Sequence, residues 1–381
     1  MRGFRVLCIL VFFWCDRPCL YAEPEPRTLT VMTWNIWGRL NQDPRYTIDG
    51  LTARQRTIEI IKGSNVDIIA MVETYGSARD IANALGFHHY TPAPGANLSL
   101  FSRYELTDFG TPEGLSSFSF IRATAKISAT EKVKVYCIWL TSGGRHIVEI
   151  KNEELSDKAF IDGDNIRLRM MRKFLNHPEV KADVAGHETV PVIVAGDFNC
   201  VSRLDYSESS KALNYGRVFG ATPTHDLMME SGFVDAFRRI YPKVTKDTLG
   251  HTWTTVGPDF VYESGRGFVP VKGGSHPRPH FTNPYARIDF IYALGSLRPK
   301  SAAVIKNFRD HGTRSFPEFP SDHAAVVASF ELGGENKAHP AAPEGRAHQA
   351  EQDRAVPPST RSGSNSEGAD EPEVPSQEHG R

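Results

Sequence analysis

Residues 190–199, VPVIVAGDFN, carry the pattern from which the fold can be predicted. The first six form a short, β-branched and almost wholly apolar run, which predicts a strand buried on both faces. The run stops at Gly196, and Asp197 and Asn199 follow directly. Ligand sites of α/β sheets form where strand ends converge. The segment therefore indicates an α/β protein with a polar site at this strand end.

Six further apolar runs predict strands, and three amphipathic stretches predict helices. The strands are expected at 29–34, 67–72, 98–102, 133–140, 288–292 and 324–332, and the helices at 52–62, 77–85 and 165–175. In the last helix, Ile166, Met170 and Phe174 recur at helical spacing. Alternating strands and helices predict one α/β domain in which helices cover sheets.

Lone polar side chains lie at or near the ends of five of these strands. They are Asn35, Glu73, Asp197 with Asn199, Asp289, and Asp322 with His323. Each of them alone could cap a helix or form a turn, as these residue types often do. Their recurrence in five segments favours a shared site over five separate turns.

Oxygen donors in this set suit a hard metal ion. Mg²⁺ prefers oxygen ligands and keeps several waters, so one or two carboxylates suffice to hold it. Asn35, Glu73 and Asp322 offer such ligands. An ion there would neutralise phosphate charge and stabilise a leaving oxygen, which indicates hydrolysis of a phosphate ester.

Proton transfer and charge stabilisation have candidates of their own. His323 can move protons near neutral pH if a carboxylate fixes its tautomer, and Asp289 is the natural partner. Asp197 could hold the attacking water, and the amide of Asn199 could donate to a phosphate oxygen as charge builds. Together these residues predict metal-assisted phosphoester hydrolysis.

Five motifs resemble, in the right order, those of the endonuclease/exonuclease/phosphatase superfamily. They are MTWNIW at 32–37, MVET at 71–74, AGDFN at 195–199, RIDFI at 287–291 and SDHAAV at 321–326. GDFN together with the terminal SDH is the most specific pair. The superfamily includes pancreatic-type deoxyribonucleases, AP endonucleases, neutral sphingomyelinases and inositol-phosphate 5-phosphatases. RLDY at 203–206 and TWT at 252–254 resemble an uncharacterised subgroup of secreted or bacterial members.

This resemblance implies a fold, a cofactor and a set of site residues. The fold is a four-layer α/β sandwich, with two mixed β-sheets face to face and helices flanking them. The cofactor is Mg²⁺, with Mn²⁺ as an alternative. The matched motifs imply metal positions at Asn35, Glu73 and Asp322 and catalytic positions at His323, Asp289, Asp197 and Asn199. Whether His323 or Asp197 is the general base stays open.

One motif departs from the superfamily pattern. Many members have a phosphate-contacting histidine where a central strand ends, in a pattern like N-T-H-L, whereas this chain has CIWL at 137–140. Trp139 therefore occupies the histidine position, unless the register is misread by two or three residues. Arg145 or His146 in the next loop could supply the contact. The indole could instead stack on a planar group of the substrate.

Composition excludes several classes of protein. Of the 381 residues, 40% are hydrophobic and 23% are charged, which excludes a wholly disordered, collagen-like or disulfide-scaffold chain. The net charge of -1 excludes a strongly basic nucleic-acid coat. Nothing in the sequence indicates a stable protein partner. We expect a monomer that acts on a small-molecule, lipid-headgroup or nucleic-acid phosphate ester.

Both ends are expected to lie outside the catalytic domain, which we place at 23–333. Residues 1–22 are predicted to be a signal peptide, because Arg2 and Arg5 precede an apolar run and Ala22 resembles a cleavage position. A short uncleaved anchor is the alternative. Residues 334–381 are predicted to be a disordered tail without a role in catalysis. The expected location is extracellular.

Three smaller features carry open predictions. Cys137 and Cys200 could pair if their strands are neighbours, or they could be buried free thiols. Asn97 begins an N-glycosylation sequon, which burial could leave unused. The runs 260–263 and 268–271 are predicted to form a hairpin, either a plain surface hairpin or one that touches lipid or substrate.

The leading interpretation is a secreted, divalent-metal-dependent phosphoester hydrolase. A secreted deoxyribonuclease-like endonuclease is one alternative, and it predicts a basic groove. A catalytically weak binding protein that retains the fold is the other alternative. Trp139 favours that last possibility, whereas Glu73, Asp289 and His323 argue against it.

Overall fold

The computed structural model describes residues 27–38, 46–143, 147–257, 260–263, 267–271, 285–308 and 318–333. These residues belong to one compact unit, Met1–Asn336. The predicted signal peptide and tail, as well as Arg145 and His146, lie outside the described residues. Within the described ranges, no helix has the length and apolar character needed to span a bilayer.

The first of two six-stranded sheets is built around a parallel pair. Its strands are β1 (Thr28–Asn35), β2 (Ile68–Val72), β3 (His88–Tyr90), β4 (Ser99–Ser102), β13 (Leu297–Ile305) and β14 (Ala325–Leu332). They lie in the order β13-β14-β1-β2-β4-β3. Only the β1–β2 pair is parallel in this sheet, so its two carboxyl ends lie at one edge.

The second sheet repeats this design. Its strands are β5 (Leu106–Gly110), β6 (Phe120–Lys126), β7 (Lys132–Trp139), β8 (Val192–Asp197), β9 (Val234–Asp235) and β12 (Asp289–Leu294). They lie in the order β5-β6-β7-β8-β12-β9, and β7 and β8 form the parallel pair. β10 (Phe260–Glu263) and β11 (Gly267–Pro270) pair with each other, which confirms the predicted hairpin.

Seven α-helices and three short 3₁₀-helices connect the described strands. The α-helices are α1 (Ala53–Gly63), α2 (Ala78–Leu85), α3 (Asp157–Asp162), α4 (Asn165–Asn176), α5 (Pro178–Ala185), α6 (Pro223–Glu230) and α7 (Ala236–Ile240). The 3₁₀-helices are Ile147–Glu149, Glu208–Leu213 and Lys246–Thr248. α1 begins at Ala53 because Thr52 and Gln55 form a capping box. The three predicted helices correspond to α1, α2 and α4.

Alternation along the strands divides the core into three apolar layers. Side chains of one parity from both sheets meet in the middle, among them Val31, Ala70, Val135, Ile193 and Ile291. The side chains at the alternate strand positions face outward and pack under helices. Beneath α1 and α2 lie Met32, Trp34, Ile69 and Met71, and beneath α4 to α6 lie Tyr136, Ile138, Val192 and Val194. The order helix, sheet, sheet, helix confirms the predicted four-layer α/β sandwich.

Five of the described strands, β3, β5, β6, β9 and β13, were not predicted, and two of them have a clear physical reason. β6 carries Arg122, which looks like a surface residue but pairs with Asp183 on α5, 3.5 Å away. β13 contains Pro299, which breaks a typical strand pattern. Proline is tolerated there because β13 lies at a sheet edge and the pairing register shifts between Pro299 and Ser301.

Helix α4 lies at the predicted position. Its buried residues are Leu168, Met171, Phe174 and also Arg167. The guanidinium of Arg167 is stabilised there by Asp164 at 2.8 Å, so a charged side chain takes a buried position.

Gly196 permits the close approach of β7 and β8. Its φ is 154°, and an added Cβ would lie 1.9 Å from the carbonyl oxygen of Ile138. We expect Gly196→Ala to separate this parallel pair and to lower the free energy of unfolding by more than about 2 kcal/mol in urea denaturation. The matched control is Gly63→Ala, since nothing lies within 4 Å of a Cβ there. Equal stability of the two variants would contradict the expectation.

Candidate active site

Strand alternation brings the predicted polar groups to one end of the inter-sheet space. Asn35 and Asp197 share the inward parity of Val31 and Ala195. Asp289 lies directly opposite Asp197 in the antiparallel β8–β12 pair. Because β1 and β8 belong to different sheets, the sandwich itself brings their terminal side chains together.

A buried carboxylate–imidazole pair forms the centre of the site. Nδ1 of His323 lies 2.9 Å from Oδ2 of Asp289, and the two residues are 6% and 0% exposed. The backbone N–H of His323 donates to Oγ of Ser321 at 3.0 Å, and its carbonyl accepts from the indole of Trp34 at 2.8 Å. The two residues that sequence analysis paired are therefore in contact, with the imidazole held from both sides.

Asn35 bridges three groups of the site. Its Nδ2 donates to Oε1 of Glu73 and to Oδ2 of Asp197, both at 3.1 Å, and lies 3.5 Å from Nε2 of His323. Its Oδ1 accepts from the backbone N–H of Trp37 at 3.0 Å. The amide therefore turns its donor side to the carboxylates. One lone pair of Oδ1 remains available, so the metal position of Asn35 stays a prediction.

Asn199 holds the carboxylate of Asp197 in place. Its backbone N–H donates to Oδ1 of Asp197 at 2.9 Å, and its Nδ2 donates to Oδ2 at 3.1 Å and to the carbonyl of Leu140 at 2.9 Å. Asn199 has a φ of 49°, a left-handed conformation that asparagine tolerates well. The predicted donor to phosphate thus orients Asp197 in this structure.

Glu73 is held in an unusual backbone conformation beyond the end of β2. Its φ is 58°, which is uncommon for a glutamate and is typical of functional sites. Its N–H donates to Oδ1 of Asn97 at 3.1 Å, while Nδ2 of Asn97 donates to the carbonyl of Phe118 at 2.9 Å. Sequence analysis gave Asn97 no role at this site, since its only local signal was the sequon.

Residues 252 and 253, which precede β10, hold Asp289 and Asp322 in place. Oγ1 of Thr252 accepts from the backbone N–H of Asp289 at 3.1 Å. The indole N–H of Trp253 donates to Oδ2 of Asp322 at 3.3 Å. Sequence analysis noted TWT at 252–254 only as a subgroup marker, because contacts between residues this far apart leave no local pattern.

The donor set fits a divalent cation. One ligand atom from each of Asp197, Asp289 and His323 lies within 4.8 Å of the others, and Asn35 joins Glu73 to this group. Oδ1 of Asp289 is buried and lacks a hydrogen-bond partner among the described residues. Buried carboxylates in such proximity favour a nearby positive charge, and hard oxygen donors suit Mg²⁺ or Mn²⁺.

Burial and neighbouring charges shift the pKa values of Asp197 and His323. The pKa of Asp197 is raised to about 8, first by burial and then by the Asp289 carboxylate, while His323 opposes the shift. Burial lowers the pKa of His323, but the carboxylates of Asp289 and Asp322 outweigh it and raise the pKa to about 10. The neighbouring carboxylates therefore favour the protonated form of the imidazole.

Trp139 lies beside Asp197 at the end of the parallel pair. The β7–β8 register sets the two residues opposite each other. That Trp139 takes the position of the family's histidine stays a prediction. The indole is half-buried and packs against the inter-sheet core. The edge-to-face partner of Trp139 is Phe118, with ring centroids 5.1 Å apart.

Cys137 and Cys200, the cysteines of the described residues, are free buried thiols. Cys137 lies on β7 and Cys200 directly follows Asn199, and neither takes part in a disulfide. Burial raises the pKa of both thiols above the usual range. Neither thiol is therefore a reactive nucleophile.

The sequon at Asn97 is expected to carry no glycan. Asn97 is 1% exposed, and both ends of its amide are hydrogen-bonded to the backbone. A glycan on Nδ2 would remove the bond to Phe118 and could not fit in the folded chain. The measurement is the mass of protein secreted from a eukaryotic host before and after peptide N-glycosidase. A mass loss that Asn97→Gln abolishes would contradict this expectation.

The chain is similar in sequence to one known protein and in structure to others. An uncharacterized protein of Caenorhabditis elegans, F14F9.5, is 27% identical over 318 residues, which cover 79% of this chain and 91% of that protein. The structure of truncated Caenorhabditis elegans TDP2 is 19% identical with a TM-score of 0.50, covering 80% of this chain and 98% of that chain. An AP endonuclease structure from Archaeoglobus fulgidus is 20% identical with a TM-score of 0.48, covering 80% and 100%.

The family assignment rests on a match that spans most of the described residues. Residues 32–323 match the model of the endonuclease/exonuclease/phosphatase family, and the matched span begins in the first quoted motif and ends in the last. Members of this family are typically metal-dependent enzymes that hydrolyse phosphoesters. The chain belongs to the endonuclease/exonuclease/phosphatase family.

Proposed function

We propose that this protein is a secreted hydrolase of phosphate esters that depends on a divalent metal ion. The observation that carries the proposal is the buried cluster in which Asn35 joins Glu73, Asp197 and His323 while Asp289 holds the imidazole. A purely structural cluster would need no unsatisfied carboxylate oxygen, yet Oδ1 of Asp289 lacks a partner among the described residues.

Glu73 is the main protein ligand in this proposal, with Asp322 as a second carboxylate. When bound, the metal ion supplies positive charge that neutralises the phosphate and stabilises the leaving oxygen. Asn35 keeps Glu73 beside Asp197 through the two bonds of its Nδ2. One or two carboxylates suffice for Mg²⁺, and Mn²⁺ accepts the same oxygen donors.

Asp197 is the better candidate for the general base. The Asp289 and Asp322 carboxylates raise the pKa of His323 to about 10, which favours an imidazolium, and an imidazolium cannot accept a further proton. The pKa of Asp197, raised to about 8, leaves a carboxylate that can take a proton from water at slightly alkaline pH. A nearby positive charge would lower this pKa toward neutrality. His323 then stabilises negative charge on the phosphoryl group.

Secretion is the part of the proposal that rests on sequence alone. The charged start at Arg2 and Arg5, the apolar run of ten residues and the small Ala22 support a cleaved signal peptide. Amino-terminal sequencing of secreted material tests it, with Glu23 as the expected first residue.

The test of the proposed activity is hydrolysis of bis-p-nitrophenyl phosphate by the full chain. We expect release of nitrophenol with Mg²⁺ and its loss in excess EDTA. A panel of DNA, RNA, sphingomyelin, inositol phosphates and nucleotides then ranks the substrates, with Glu73→Ala as the blank. Glu230→Ala, which changes an exposed glutamate on α6, is the matched control. Undiminished hydrolysis in EDTA would overturn the metal dependence.

Trp139→His is expected to raise generic phosphodiesterase activity about ten- to a hundredfold. The indole N–H donates one uncharged hydrogen bond, whereas a charge-assisted bond to phosphate contributes about 1.5–3 kcal/mol. The position is suited to such a bond, since Trp139 lies opposite Asp197. We measure kcat/KM on bis-p-nitrophenyl phosphate and on duplex DNA, on which the unchanged protein should be weak. A well-folded variant with unchanged rates on every ester would contradict the expectation.

A further inference from the structure

Phe118 exposes an aromatic ring at the mouth of the site. It is 45% exposed, in the loop that leads into β6. Its ring meets the indole of Trp139 edge to face, at 88° between the ring planes. An edge-to-face contact uses one edge of a ring and leaves other faces open to a further planar group.

This aromatic pair is fixed to the reacting centre by the backbone. The N–H of Trp139 donates to the carbonyl of Ser119 at 2.9 Å, which anchors the residue after Phe118. The carbonyl of Phe118 accepts from Nδ2 of Asn97, whose Oδ1 accepts from the N–H of Glu73. The loop of Phe118 is thus joined through one buried amide to the residue proposed as the metal ligand.

Phe109, a second exposed aromatic of the described residues, is not attached to the site in this way. Phe109 is 56% exposed on β5 and stacks on Tyr90 of β3, in the edge strands of the two sheets. A single exposed apolar side chain needs no functional explanation by itself. Phe118 differs because Trp139, its partner, lies opposite Asp197.

We propose that Phe118 and Trp139 form the subsite for a planar ring carried by the phosphoester substrate. The proposal rests on the proposed function for the phosphate position and adds the chemistry of the group beside it. A ring stacked there keeps a set distance from Glu73, because Asn97 fixes Phe118 relative to that residue. Stacking tolerates any planar ring, so a nucleobase and an aryl group are both suitable.

The test is equilibrium binding to the full chain with Mg²⁺, measured by isothermal titration calorimetry. The first probe pair is adenosine 5′-monophosphate and ribose 5-phosphate, which differ only by the base. The second pair is phenyl phosphate and methyl phosphate, which places the ring directly on the ester oxygen. We expect the ring-bearing member of at least one pair to bind about tenfold more tightly, as base stacking on an aromatic side chain does. The pair that responds identifies which source of planar ring the subsite accepts.

Variants show whether Phe118 produces the tighter binding of the ring-bearing probe. Phe118→Ala should reduce the preference to near one, Phe118→Tyr should retain it, and Phe109→Ala is the matched control that should leave it unchanged. Thermal melts verify that each variant folds. Equal binding within both pairs, or a preference that survives Phe118→Ala, would overturn the proposal. Active protein with equal binding would reject only the subsite, and inactive protein that still prefers rings would reject only the hydrolase proposal.

Discussion

Replacing His323 with alanine is expected to lower kcat by about 10²- to 10⁴-fold, the usual contribution of a positioned proton-transfer or charge-stabilising group. Asp289 acts through the imidazole, since its Oδ2 lies 2.9 Å from Nδ1 of His323. Groups that act as a unit show strongly non-additive losses. The double variant Asp289→Asn/His323→Ala should therefore be little worse than His323→Ala alone, in a cycle of kcat values on bis-p-nitrophenyl phosphate.

The pH profile separates this positioning role from a merely structural one. His323 acts in its protonated form, so activity should fall as the pH rises through its pKa, raised to about 10. Among the groups that raise this pKa, the Asp289 carboxylate is the largest, and Asp289→Asn should lower the pKa. The alkaline limb of kcat/KM should therefore move to lower pH. His187→Ala, which changes a partly buried histidine beside Glu188, is the control. Two independent, multiplying losses with an unmoved limb would refute the shared role.

Sequence reasoning was sufficient where polar residues follow or interrupt an apolar strand. Because strand ends of α/β sheets converge, Asp197 and Asp289 could be assigned to a shared site before any contact was known. The four-layer fold followed from the resemblance of the motifs. Both the site residues and the fold could be predicted from local patterns, which a single sequence contains.

The orientation of Asn35 could not be predicted in this way. Its Oδ1 accepts a hydrogen bond from the N–H of Trp37, and Trp37 has a left-handed φ of 43°. No local preference indicates that a tryptophan adopts this conformation, because tertiary contacts impose it. The role of Asn97 at the site was not predicted for a similar reason, since its partners Glu73 and Phe118 are both more than twenty positions away in the sequence. Side-chain bonds that bridge distant loops become visible only in the fold.

Glu73→Gln is expected to lower kcat/KM by more than about a hundredfold while the protein stays folded. Glutamine keeps the shape of glutamate and can still accept from Nδ2 of Asn35, but it lacks the negative charge that holds a hard divalent ion. Even residues that only orient metal ligands change affinity by about ten- to a hundredfold, so a direct ligand should cost more. The measurement is kcat/KM over a range of Mg²⁺ concentrations, together with a thermal melt.

The loss of kcat/KM in Glu73→Gln should result from weaker metal binding and not from unfolding. A direct measurement of metal binding distinguishes these two causes. Calorimetric titration of Mg²⁺ should show weaker binding to Glu73→Gln, and raised Mg²⁺ should restore part of its activity, because a lower affinity is overcome by mass action. Asn97→Ala is the informative companion, since it leaves the carboxylate intact and removes the side-chain bonds to the N–H of Glu73 and to the carbonyl of Phe118. It should weaken Mg²⁺ binding less than Glu73→Gln does. If Glu73→Gln bound Mg²⁺ as tightly as the unchanged protein, Glu73 would not be a metal ligand.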